Sequence, residues 1–169
     1  MDPIQHPYFG HLDVDALKNV DVIWEQSRTL NDETFDVCLW GGIGSDVSLP
    51  SPTLDAFAGF LQDLSARDAF ARQQLVKYLE EDPFYIEHHV DEVHEDDEVI
   101  SQLLTEADGG KILAPAFVAK MKLTNIGLWL DASSGPIIMD YMIDPENGDE
   151  ILAVRLTLDD QIVDIAWES

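Results

Sequence analysis

The sequence predicts an α+β domain with an N-terminal β-hairpin, a central group of helices and a C-terminal antiparallel β-meander. Apolar residues alternate with polar ones before residue 41, recur at helical spacing from residue 51 to about residue 122, and return to a period of two from Leu123 onward. Strands, then helices, then strands again describe segregated α and β structure rather than the βαβ alternation of a parallel sheet.

In the first part, Val20, Val22 and Trp24 alternate with Asp21, Ile23 and Glu25, while Phe35, Val37 and Leu39 alternate with Asp36, Cys38 and Trp40. Asn31-Asp32 supplies the turn between them, which completes a hairpin pattern. A short extended piece around Pro7-Tyr8-Phe9 adds a third strand. In the helical middle, Ser51-Pro52 has the cap-then-first-turn order of a helix start, followed by Leu54, Phe57, Ala58 and Leu61 at helical spacing as far as Leu64. Ser65-Ala66-Arg67-Asp68 has the form of a capping box for a second helix with Ala71, Leu75, Tyr78 and Leu79 on one face. Asp82-Pro83 starts a third, with the stripe Ile86, Val90 and Val93. Ile100, Leu103, Leu104 and Ala107 mark a fourth that stops at Gly109-Gly110, and residues 112–122 form one more short helix. The meander then has strands at 126–131, 136–143, 150–158 and 161–167, separated by Ser134-Gly135, Asn147-Gly148 and Asp159-Asp160.

A length of 169 residues with 46% hydrophobic composition suits one compact domain spanning residues 1–169, with a core that needs neither disulfides nor metals. The charge is unusual: 9 Lys+Arg against 34 Asp+Glu give a net −25. Nucleic acid is not an expected partner, because phosphate binding depends on clustered cations that replace condensed counterions. Anionic membrane surfaces are disfavoured on the same sign. Met1-Asp2-Pro3-Ile4-Gln5-His6 lacks the basic start and apolar run of a secretory signal, so a cytoplasmic location is expected. Cys38 is the one cysteine. It sits in a strand pattern as a small packing residue and provides neither an intrachain disulfide nor a cysteine-based zinc cage.

Three local motifs suggest chemistry. His88-His89-Val90-Asp91-Glu92-Val93-His94-Glu95-Asp96-Asp97-Glu98 mixes imidazoles with carboxylates, and on a helix His88, Glu92 and Glu95 share a face. This spacing matches neither His-Glu-x-x-His nor another zinc motif, and a solvated acidic face has the same pattern. Gly41-Gly42-Ile43-Gly44-Ser45-Asp46 lacks the third glycine, the immediate helix and the nearby cation of a phosphate cradle, so it reads as a loop. Asp144-Pro145-Glu146-Asn147-Gly148-Asp149 departs from a calcium loop in the place of its glycine and reads as a hairpin turn. The four tryptophans, Trp24, Trp40, Trp129 and Trp167, all fall on expected strands, where aromatic residues serve as core or cross-strand partners.

His6-Pro7-Tyr8-Phe9-Gly10 at the start, Asp140-Tyr141 in the meander and Ile165-Ala166-Trp167-Glu168-Ser169 at the end together resemble an uncharacterised bacterial domain-of-unknown-function family of small acidic proteins. The resemblance implies a bacterial, cytoplasmic protein of mixed α and β structure and assigns no site.

The charge supports one functional expectation and the histidines another. The first is a non-catalytic interaction protein that binds a basic protein partner, as an immunity or antitoxin-type inhibitor would. Its contact residues are Phe84, Tyr85, Asp91, Glu92, Glu95 and Asp97, in a stretch with no Lys or Arg between Lys77 and Lys111. The alternative is a metal-binding hydrolase using segment 88–98, with His88, Glu92 and Glu95 as ligands. The sequence names no catalytic residue and no cofactor, and it sets no oligomeric state.

Overall fold

A computed structural model describes residues 4–12, 22–41, 51–93, 97–107, 110–130, 135–146 and 148–168. The chain opens with a short hairpin, β1 (Ile4–His6) against β2 (Gly10–Leu12). Pro7-Tyr8-Phe9 is the turn of this hairpin and not a strand. His6 Nδ1 accepts the backbone N–H of Tyr8 at 3.1 Å and that of Phe9 at 3.3 Å, giving these donors a local side-chain partner in place of a ladder. With Nδ1 accepting, the ring proton lies on Nε2, which donates to Asp55 Oδ1 at 2.8 Å.

The expected second hairpin is β3 (Val22–Leu30) with β4 (Glu33–Trp40). Its turn residues Asn31 and Asp32 take φ of 52° and 67°, the backbone of a two-residue turn that matches strand twist. Val20 and the glycine-rich motif at 42–46 lie outside the described residues.

Five α-helices follow among the described residues: α1 (Ser51–Gln62), α2 (Leu64–Glu81), α3 (Phe84–His88), α4 (Glu98–Glu106) and α5 (Ala114–Lys120). A π-helical turn (His89–Val93) continues α3. The capping-box reading of 65–68 does not hold. Helix α2 already begins at Leu64, and Asp68 is buried, accepting the Tyr141 hydroxyl at 2.6 Å and the Arg72 Nε at 3.1 Å. A carboxylate in the first turns thus answers to tertiary partners instead of the helix end.

The last strands are β5 (Lys122–Trp129), β6 (Ile137–Met142), β7 (Ile151–Leu156) and β8 (Ile162–Glu168). β5 to β8 are an antiparallel meander, as expected. The hairpin and the meander are one sheet: β4 pairs with β5 in parallel, giving the order β3-β4-β5-β6-β7-β8. The helical middle is the crossover that a parallel pair requires. Phe35, Val37, Leu39, Ile126, Leu128, Ile137, Met139, Tyr141, Leu152 and Val154 point to one face and share a buried core with Leu54, Phe57, Leu61, Leu75 and Phe117 of the helices. Asp36, Asn125, Asp140, Arg155 and Asp164 alternate with core-facing neighbours and stand on the other face.

Arg72 ties the layers together. Its Nη1 donates to the carbonyls of Val118 and Met121 at 2.9 and 2.7 Å, its Nη2 to Glu33 Oε2 at 3.1 Å, and its Nε to both Asp68 oxygens. Its guanidinium lies 5.2 Å from the Tyr141 ring centroid.

Candidate functional site

The described residues of the acidic stretch 80–98 are the end of α2, then α3 with its π-helical continuation, then Asp97 and the start of α4. Residues four apart share a side of this stretch, so Ile86, Glu87, Val90 and Asp91 line one hollow, while His88, His89 and Glu92 line another.

The first hollow is a groove of about 470 Å³ between the end of α2, α3 and the approach to α5. Leu79, Ile86, Val90, Leu104 and Ile112 give it an apolar lining, with Glu80, Glu87 and Asp91 as its acidic members and Lys111 as a lone cation among them. Leu113, which also lines it, is 69% exposed, and Phe84, next to lining Pro83, is 67% exposed. Scattered exposed apolar residues are ordinary, but these two are large and stand beside an apolar groove.

The second hollow is a cavity of about 260 Å³ between the π-helical turn and the β6–β7 connection. His89, only 4% exposed, lines it. Its Nδ1 lies 2.7 Å from the Tyr85 carbonyl oxygen, which can only accept, so Nδ1 carries the proton. Burial foremost pushes the His89 pKa down, holding the ring neutral. Glu150, on the same wall, accepts the Trp167 indole N–H and lies 3.7 Å from His88 Nε2.

Of the residues expected to touch a partner, Phe84, Asp91 and Glu92 are exposed, and Glu95 lies outside the described residues. Tyr85 and Asp97 are corrected to interior roles. Tyr85 is 1% exposed, donates its hydroxyl to the Glu150 carbonyl at 2.7 Å and packs edge-on against Phe117 and Trp167. Asp97 is 2% exposed and caps α4, accepting from the N–H groups of Val99 at 2.8 Å and Ile100 at 3.1 Å. Burial first, and the adjoining Asp144 carboxyl with which it hydrogen-bonds, push its pKa up. The first of these residues follows a Pro in a short helix, where the inward position is decided by the sheet beneath. The second obeys a cap rule that the acidic run conceals.

His88 and Glu92, two of the three expected metal ligands, do line one cavity. Among the described residues, however, no group of three His, Cys, Asp or Glu side chains is placed to hold a metal ion. Cys38 is buried, and burial, then Glu25 and Asp36, push its thiol pKa up, which opposes thiolate chemistry. Trp40 and Trp129 stack at 4.8 Å between centroids on neighbouring strands. Trp24 and Trp167 are registered with core-facing Leu39 and Leu152, so the four share no platform.

Sequence reading missed Leu113, Glu150 and Trp167. Leu113 carried a usable signal, an apolar residue just before a Pro-containing first helical turn. Glu150 lines the cavity and Trp167 holds its carboxylate, an arrangement made by tertiary packing and not marked in the local sequence. No helix among the described residues is long and apolar enough to cross a membrane. Comparison with family models, curated proteins and solved structures finds no match to this chain.

Proposed function

We propose that this chain is a non-catalytic interaction protein that binds a basic protein partner, in the manner of an immunity or antitoxin-type inhibitor, through the groove beside α3. The observation that carries this reading is an apolar groove flanked by Phe84 and Leu113 and bordered by Glu80, Glu87 and Asp91. Its occupant is the apolar side of a cationic, amphipathic segment. A net charge of −25 raises the encounter rate with such a segment. The screening length at physiological salt is about 8 Å, so affinity must come from the apolar anchors once the partner is close.

The test uses an amphipathic helical peptide with lysines opposite leucines, alongside a scrambled peptide of the same composition, with binding kinetics measured across a salt series. Replacing Glu80 and Glu87 by Gln and Asp91 by Asn should slow association and flatten its salt dependence. Replacing Phe84 and Leu113 by Ser should mainly speed dissociation. Equal binding of the scrambled peptide, or groove variants that leave both rates unchanged, would remove the groove from the function.

A further inference from the structure

The geometry points to a second recognition site: the cavity between the π-helical turn and the β6–β7 connection binds a guanidinium group. This does not rest on the groove reading, because the two hollows are lined by different residues of the same segment.

The donor and acceptor inventory sets the ligand chemistry. His89 Nδ1 is committed to the Tyr85 carbonyl, and Nε2 is the ring's remaining polar atom, with no hydrogen bond among the described residues. A neutral ring protonated on Nδ1 has only an acceptor lone pair at Nε2, so it calls for a ligand that donates N–H or O–H. Glu92, Asp97, Asp144, Asp149 and Glu150 share the lining with it, and no Lys or Arg among the described residues does. A donor among five carboxyl groups, two of them (Asp97 and Asp144) hydrogen-bonded to each other, is favoured when it is also a cation.

Planarity separates guanidinium from ammonium. The Trp167 indole N–H holds Glu150, and the His88 ring packs against Trp167 with centroids 5.3 Å apart. Held by the indole through Oε2, with Oε1 3.7 Å from His88 Nε2, Glu150 keeps lone pairs for the N–H groups of a planar cation, and the aromatic rings beside it suit a flat, weakly hydrated one. The volume of about 260 Å³ accommodates a guanidinium with its methylene stem. It lies below the about 300 Å³ at which pockets for larger ligands begin.

The full chain is titrated at constant ionic strength with agmatine, with N-acetylarginine amide and with butylamine, following the His89 side-chain 15N signal and the Trp167 indole N–H by NMR. Saturable shifts of both signals with a guanidinium probe are expected, with butylamine binding about tenfold more weakly or worse. Agmatine binding without N-acetylarginine amide binding identifies a free small cation as the natural source, and the reverse identifies an arginine of a protein. Glu150→Gln, which keeps an acceptor for Trp167, should weaken binding about tenfold or more. Leu113→Ser in the groove should leave it unchanged, so that loss of the groove function and loss of this site are told apart. Butylamine matching agmatine, Glu150→Gln binding like the parent chain, the absence of saturable shifts, or Zn²⁺ shifting His89 Nε2 where agmatine does not, would each overturn the proposal.

Discussion

Replacing Arg72 with Met should cost about 3–5 kcal/mol of folding stability, the usual penalty for removing one partner of a buried charge cluster. The magnitude follows from what is left behind. Among the described residues, Asp68, buried on α2, keeps the Tyr141 hydroxyl as its one side-chain partner, while Glu33 keeps the Leu123 N–H at 3.3 Å. The Met121 carbonyl loses its 2.7 Å donor at the point where α5 turns into β5. Methionine fills much of the vacated volume, so the loss is electrostatic and not a cavity effect. Urea unfolding of Arg72→Met, Asp68→Asn and the double variant separates the contributions. Adding Asp68→Asn removes an uncompensated buried charge, so the double variant should recover about 1–2 kcal/mol relative to Arg72→Met. A loss under about 1 kcal/mol for Arg72→Met, or a double variant less stable than Arg72→Met, would refute the view that this cluster locks helices to sheet.

Two further outcomes are expected. Burial first, then Glu168, push the Asp140 pKa up to about 6, so its protonated form favours the fold: the associated stability is present at low pH and lost as pH rises through about 6. Relative to Asp140→Asn, the parent chain should therefore gain about 1.4 kcal/mol between pH 7 and pH 5, and the variant comparison cancels the opposite contribution of His89, whose lowered pKa costs stability on acidification. An unchanged difference between the two chains across that range would contradict the assignment. Gly127→Ala would place a Cβ 2.8 Å from Trp129 Nε1, so it should displace the indole stack, weaken the exciton signal of the coupled tryptophans and cost about 1–3 kcal/mol; an intact exciton signal would show that the stack tolerates a methyl group.

The fold was legible wherever the signal was local. Asn31-Asp32 marked its turn because positive φ has a residue signature, and the meander strands followed from alternation between Asn-Gly and Asp-Asp turns. The parallel pairing of β4 with β5 was not legible, since residues on either side of a crossover of more than 80 positions carry no mark of their register. The Pro7-Tyr8-Phe9 turn was missed although Gly10, with φ of 74°, carried a local signal for it; the histidine side chain that accepts the turn's N–H groups did not. In the candidate site, the acidic segment was found but its division was not. The burial of His89 follows from helical spacing once Tyr85 is known to point inward, since His89 lies four residues after Tyr85 and three after Ile86, while Asp91 and Glu92 stay exposed.

That division bears on how a chain of this charge can remain folded and still present an acidic surface. Some carboxylates in and around the segment already serve the fold: Asp97 caps α4 and hydrogen-bonds with Asp144, and Glu150 of the β6–β7 connection holds the Trp167 indole. Burial and the Asp144 carboxyl raise the Asp97 pKa, which favours its neutral form where repulsion would be worst. The carboxylates of Glu80, Glu87 and Asp91 differ, because no hydrogen bond or ion pair among the described residues engages them. Among those residues Lys111 is the single cation that lines the groove with these three acids, and a further cation brought to within about 4 Å of one gains about 1–4 kcal/mol before desolvation, without breaking an internal pair. The amide variants of these three residues should consequently fold with unchanged or greater stability while associating more slowly with the basic peptide. Loss of stability in parallel with loss of association would mean that these carboxylates hold the structure together and are not kept for a partner.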